Sequence, residues 1–193
     1  MERLRDDGFF KGFKRVAFVG TSMGAFGALT FSSLAPGSTV VAFSPQTSLD
    51  KKLVGWENRF AKGRAADWSL PYSDAAAQTD TASEVYVIYD QFHEGDRKHV
   101  DRLSGANITR LKGAGLGHKS ALVLSRMNVL KDIMEQAVAG TLNELDFYRA
   151  IRARKDIYLY RQAMEGYLTE RGKADRAERF GNAFKKRRRL QSA

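Results

Sequence analysis

Val16-Ala17-Phe18-Val19-Gly20-Thr21-Ser22-Met23-Gly24-Ala25-Phe26-Gly27-Ala28-Leu29 is the stretch on which the reading of this chain turns. The apolar run from Val16 to Val19 reads as a buried strand, and the small-residue run from Ala25 to Leu29 as a tightly packed helix. Between them, Gly20-Thr21-Ser22-Met23-Gly24 has the G-x-S-x-G spacing of a nucleophile elbow. The turn is so sharp that a side chain at either flanking position is expected to strike the neighbouring strand or helix, a demand that glycine meets. Such a turn lifts the Ser22 hydroxyl out at the carboxyl edge of a sheet. The helix start then offers backbone N–H groups, that of Met23 first, to a developing negative charge.

Working outward, Ala35-Pro36-Gly37-Ser38 is a turn, and Thr39-Val40-Val41-Ala42-Phe43 is a second buried strand ending in Ser44-Pro45-Gln46. A strand, a helix and a strand in about 30 residues make a βαβ unit and hence a parallel sheet. Val85–Tyr89 and Ile108–Leu111 supply a third and a fourth strand. The class is therefore α/β, a parallel sheet of about four strands with flanking helices. Residues 47–80 are polar and irregular, with a helix expected near 56–65. Trp56, Phe60, Trp68 and Tyr72 are spaced so as to pin this excursion to the body. A long helix is expected from Lys119 to Ala139. Gly140 breaks it, and residues 142–169 return to helical spacing. Gly172 then precedes a last basic helix over 174–188. The chain divides into a sheet domain, 1–139, and a helical extension, 140–193.

The composition narrows the classes. The sequence has 193 residues, enough for one domain with its own core and an appendage. It has no cysteine, which excludes disulfides, thiolate metal sites and a cysteine nucleophile. Together with a charged start, Met1-Glu2-Arg3-Leu4-Arg5-Asp6-Asp7, this makes the cytoplasm the expected location. No run of about 20 apolar residues exists, so no membrane span is expected. The net charge of +10 is unevenly spread. Residues 146–193 hold 14 Lys/Arg and 6 Asp/Glu, whereas the rest is nearly neutral. The basic excess ends in Lys185-Lys186-Arg187-Arg188-Arg189, a generic electrostatic patch suited to non-specific polyanion contact.

A serine becomes a nucleophile only beside a base, and the base needs an orienting carboxylate. In an open parallel sheet such groups gather at the carboxyl ends of the strands. Three strand ends carry the right residue types in the order Ser22, Asp96 or Asp90, then His118. His118 lies in Gly115-Leu116-Gly117-His118, a glycine-rich loop between the last strand and a helix, and is the candidate base. Asp96, several residues past the third strand, is the favoured acid. Asp90 at the strand end and Glu94 are the alternatives. His93 and His99 lie on or beside the acid loop and read as surface or supporting groups. No dinucleotide fingerprint, phosphate loop or metal-ligand spacing is present, so neither a cofactor nor a metal is expected.

Taken together, these residues resemble the α/β-hydrolase superfamily over about residues 10–139, its carboxyl-terminal half. More narrowly, Asp6-Asp7-Gly8-Phe9-Phe10, Arg15-Val16-Ala17-Phe18, Ser22–Ala28, Ala35-Pro36-Gly37 and Ala42-Phe43-Ser44-Pro45-Gln46 are similar to a little-characterised bacterial group. Its members are sometimes found beside surface-polysaccharide genes, and some carry the label phosphoadenosine phosphosulfate reductase. That chemistry implies a catalytic cysteine, which this chain lacks. The resemblance implies a serine hydrolase acting on an ester, with a carbohydrate-borne acyl group as a candidate substrate. It also implies strands ahead of Phe10, from which the second oxyanion donor normally comes. Their absence leaves the nucleophile strand at an edge and leads to the expectation of a truncated or mis-started chain, or of a partner or second copy covering that edge. The alternative function is a non-catalytic binding or assembly module.

Overall fold

The computed structural model describes residues 1–191, and its centre is a four-stranded, all-parallel sheet. The strands are β1 (Ala17–Thr21), β2 (Thr39–Phe43), β3 (Glu84–Tyr89) and β4 (Ile108–Lys112), in spatial order β1-β2-β3-β4. Ala17 pairs with Thr39, Thr39 with Glu84, and Val85 with Ile108, so all four carboxyl ends fall on one side. The near-continuous apolar runs of β2 and β3 follow from burial on both faces. Val41, Phe43, Tyr86, Ile88 and Leu111 face one core, and Val40, Ala42, Val85, Val87 and Tyr89 face the other.

Helices fill both layers. On one side lie α2 (Met23–Phe31) and α4 (Glu94–Asp101), which contribute Ala25, Ala28, Leu29 and Val100. Here α1 is Glu2–Asp6 and α3 is a single turn at Ala61–Arg64. The expected helix over 56–65 shrinks to that turn, because Glu57 and Arg59 are engaged in side-chain contacts that hold the chain irregular. The other layer holds α5 (Ser120–Arg126) and α6 (Leu130–Ala139). The single long helix expected from Lys119 to Ala139 is broken at Asn128, whose φ of 57° is left-handed and ends α5.

Beyond Gly140 come α7 (Glu144–Ala150), a 3₁₀ segment (Ile151–Asp156), α8 (Tyr158–Glu170) and α9 (Ala174–Gln191). The first of these segments are part of the core. Phe147 and Ile151 join the cluster of Val41, Ile88 and Leu111. The basic α9 lays Ala177 and Phe184 against its neighbours and turns its charges outward. Among the described residues no helix is long and apolar enough to cross a membrane.

One sheet edge is open. In β1, Ala17, Val19 and Thr21 are exposed, Val19 at 40%, although the sequence of this strand is as apolar as a buried one. Phe9 and Phe13 are also exposed nearby, while Phe10 covers Phe18 at a ring distance of 6.1 Å.

Phe147 is fully buried, so Phe147→Ala is expected to lower the unfolding free energy by about 3–5 kcal/mol through lost transfer energy and a residual cavity. Urea denaturation of the variant checks this. A loss below about 1 kcal/mol would show that the helices after Gly140 do not belong to the sheet's core.

Candidate active site

The elbow forms between β1 and α2. Ser22 adopts φ 55°, ψ −120°, a backbone region that non-glycine residues avoid. Such a conformation costs on the order of 1–3 kcal/mol and persists only where its surroundings fix it. Here the Ser22 N–H donates to the Phe43 carbonyl at 2.9 Å, and the N–H groups of Ala25 and Phe26 donate to the Ser22 carbonyl. The two flanking glycines are not equivalent. A Cβ at Gly20 would lie 2.1 Å from the Gly24 carbonyl oxygen, so only glycine fits there. A Cβ at Gly24 would meet nothing within 4 Å. The expected clash therefore exists at Gly20 and not at Gly24, which is exposed in the first turn of α2. Met23 is the first residue of α2, so its N–H has no intrahelical acceptor.

His118 is carried by the loop from Gly113 to Lys119, which needs its glycines. Gly115 has φ 79° and Gly117 φ 61°. A Cβ at Gly115 would also fall 2.4 Å from the Tyr160 ring and 2.9 Å from Met164 Sδ, both on α8. Arg154 of the 3₁₀ segment donates to the Ala114 carbonyl at 2.9 Å. The helical extension thus backs the loop that bears the candidate base. From the other side, Asp90 accepts from Gly117 N–H at 2.8 Å and from Phe92 N–H at 2.9 Å. Asp90 therefore braces the loop through its backbone, and burial pushes its pKa up.

The structure brings Ser22, His118 and Asp96 into one line of contacts. His118 Nε2 lies 3.0 Å from Ser22 Oγ, and its Nδ1 lies 2.8 and 2.9 Å from the two Asp96 oxygens. An ionised carboxylate only accepts, so Nδ1 carries the ring proton and Nε2 is left to accept from the serine. Glu94, the third acid considered, is exposed and paired with Lys98 at 2.6 Å. Asp96 is fully buried. Burial alone would raise its pKa, but the hydrogen bonds from His118 and His93 outweigh this and hold it well below the usual carboxylate range.

Sequence reasoning missed two members of this network. Arg59 donates to Asp96 Oδ1 at 2.9 Å, and its other nitrogens are held by Glu57. A Cβ at Gly95 would lie 2.7 Å from the Arg59 guanidinium carbon, so the glycine in Glu94-Gly95-Asp96 makes room for it. The only signal was an acid and a base two residues apart between aromatics, Trp56-Glu57-Asn58-Arg59-Phe60, in a stretch with no regular pattern. Behind Glu57 sits His99, also fully buried. His99 Nδ1 accepts from the Thr47 N–H at 3.1 Å, which leaves its Nε2–H to donate to Glu57 at 3.1 Å. Burial lowers the His99 pKa to about 4, beyond what the Glu57 hydrogen bond restores. Burial would raise Glu57, but the hydrogen bonds from Arg59 bring it to about 2.

The fold also gathers His93, Asp96 and His118, whose ligand atoms lie within 4.8 Å of one another, although no metal-ligand spacing joins them in sequence. The positive charge that Asp96 meets is already provided by Arg59. Two hollows flank the site. One of about 480 Å³ lies between the His118 loop, Phe92 and the α8 residues Ala163, Gly166 and Tyr167. The other, about 370 Å³, is bounded by Met23, Leu49, Phe60 and Lys62. Ser22 Oγ is also 3.0 Å from Gln46 Oε1. No family model matches the chain, and no curated protein or solved structure matches it.

Gly20→Ala is expected to destabilise by at least about 3 kcal/mol, whereas Gly24→Ala stays within about 1 kcal/mol of the parent, read by thermal melts of both. For pH, unfolded His99 binds its proton near pH 6.5 while the folded group stays neutral to about 4. Stability therefore falls as pH drops through that window, by on the order of 3 kcal/mol. Below it, Glu57 and Asp96, ionised when folded and protonated when unfolded, extend the loss. Urea midpoints between pH 7 and 4 check this, and His99→Gln is expected to flatten the upper part of the decline.

Proposed function

We propose that this protein is a serine hydrolase acting on an ester through Ser22, His118 and Asp96. The observation that carries the reading is the unbroken contact chain from Ser22 Oγ to His118 Nε2 and from His118 Nδ1 to Asp96, built on a strained elbow. Strained backbone at a nucleophile is what such chemistry uses. In the reading, His118 Nε2 takes the Ser22 proton while Oγ bonds to the acyl carbon and the carbonyl π pair moves onto oxygen. The Met23 N–H meets that oxyanion. Collapse re-forms the C=O bond and expels the alkoxide, which takes the proton from Nε2. Water, deprotonated by His118, then releases the acid and restores the Ser22 hydroxyl. Asp96 keeps the imidazole in the required tautomer and stabilises its charged form. The resemblance to α/β-hydrolases supports the same reading, and a carbohydrate-borne acyl group remains the candidate substrate within it.

One observation favours a second reading, a non-catalytic binding or assembly module: β1 presents an apolar, unpaired edge with Val19 exposed. In that reading the edge takes a partner strand, from another protein or a second copy. The basic turn Lys185–Arg189 adds a non-specific polyanion contact to either reading, with Arg187 already paired to Asp156 at 2.7 Å.

A fluorophosphonate probe separates the two. Under the hydrolase reading it labels the parent protein at Ser22, with no labelling of Ser22→Ala and His118→Ala. Asp96→Asn is expected to lose roughly 10⁴ in turnover of an activated ester. A folded parent that takes no label, together with unchanged stability of Ser22→Ala, would leave the binding reading standing.

A further inference from the structure

Ser22 Oγ carries one proton, yet two acceptors stand at the same 3.0 Å: His118 Nε2 and Gln46 Oε1. They cannot both receive it. Gln46 is fully buried, and its Nε2 has no hydrogen-bond partner. A buried amide donor left unpaired costs about 1–3 kcal/mol. The oxygen and nitrogen of a carboxamide are interchangeable in outline and are assigned from their hydrogen bonds. Turning the amide by half a rotation places Nε2, not Oε1, against Ser22 Oγ. The serine proton then belongs to His118 alone, and the amide donates to the side from which the oxygen acts.

The loop that holds Gln46 is rigid, as a catalytic donor requires. Ser44 adopts φ 45°, donates its N–H to the Ile88 carbonyl at 2.8 Å, and shares a 2.8 Å hydrogen bond with the buried Ser120 hydroxyl. Pro45 stiffens the next position, and Thr47 N–H is fixed on His99. Gln46 thus has its backbone clamped on both sides while its amide alone faces the nucleophile. It stands at the carboxyl end of β2, on the paired side of β1. It therefore owes nothing to whatever lies beyond the open edge, from which a second oxyanion donor would otherwise come.

We propose that Gln46 is the second oxyanion donor of this site, its side-chain amide acting with the Met23 N–H. The oxyanion is bonded to the same carbon that Ser22 Oγ attacks, so a donor already in contact with Oγ reaches it by a small side-chain adjustment. An N–H that rests on a neutral hydroxyl then meets a full negative charge when the oxyanion appears, which is the differential binding that lowers a barrier. The inference rests on the serine-hydrolase reading of Ser22.

The test compares the parent with Gln46→Leu and the isosteric Gln46→Glu. It measures the second-order rate of fluorophosphonate labelling, kcat and KM on p-nitrophenyl acetate, affinity for phenylboronic acid, and the melting temperature. Loss of one oxyanion donor is expected to slow labelling and kcat by about 10²–10³ with KM little changed. The boronic acid, which mimics the tetrahedral adduct, is expected to weaken in parallel while the variants melt like the parent. Should Gln46→Leu fail to fold, Gln46→Glu carries the test, since it keeps shape and replaces the donor with a charge of the wrong sign. Variants that fold and label as fast as the parent would overturn the role of Gln46 and leave Ser22 as nucleophile. A folded parent that neither labels nor turns over ester would overturn both.

Discussion

Asp96 has no solvent to share its charge, and a carboxylate in that position is tolerable only when protein groups meet it. Three do: His118 from the last loop, Arg59 from the excursion, and His93 one turn ahead on the same chain segment. Arg59 is held in turn. Glu57 grips Arg59, His99 grips Glu57, and Thr47 fixes His99. The requirement to neutralise one buried charge thus reaches across the strand ends to Thr47, Glu57 and Arg59 in the irregular excursion. That part of the excursion looks unpatterned in sequence because its contacts are electrostatic rather than periodic.

The same arrangement sets the character of the candidate base. A carboxylate shared with a guanidinium has less charge to offer an imidazolium than one that faces histidine alone. Asp96 is therefore placed above all to orient His118. In any serine–histidine–carboxylate arrangement orientation is the part that geometry delivers most fully, because a wrong tautomer leaves the hydroxyl without a proton acceptor.

What was legible in the sequence is what local chemistry writes with a short period. The apolar runs of β2 and β3 mark strands buried on both faces, and Gly20-Thr21-Ser22-Met23-Gly24 marks the turn. The order Ser22, Asp96, His118 pointed to groups that the structure does bring into contact. What was not legible depends on partners distant along the chain. Arg59 and Gln46 gain their places only once β1, β2 and α4 converge. The break at Asn128 splits a helix whose apolar pattern reads straight through. The sequence shows the His118 loop only as glycine-rich; two of its glycines are demanded by a left-handed backbone, and one of those also by the ring of Tyr160.

That last contact ties two distant segments into a single unit of inheritance. Gly115 can acquire a side chain only if Tyr160 and Met164 give way first, and a larger residue on that face of α8 can arise only while the loop stays bare. A side chain at Gly115 therefore demands a matching change at Tyr160 and Met164. A graft of residues 1–139 onto another tail would inherit the loop without the surface that shapes it.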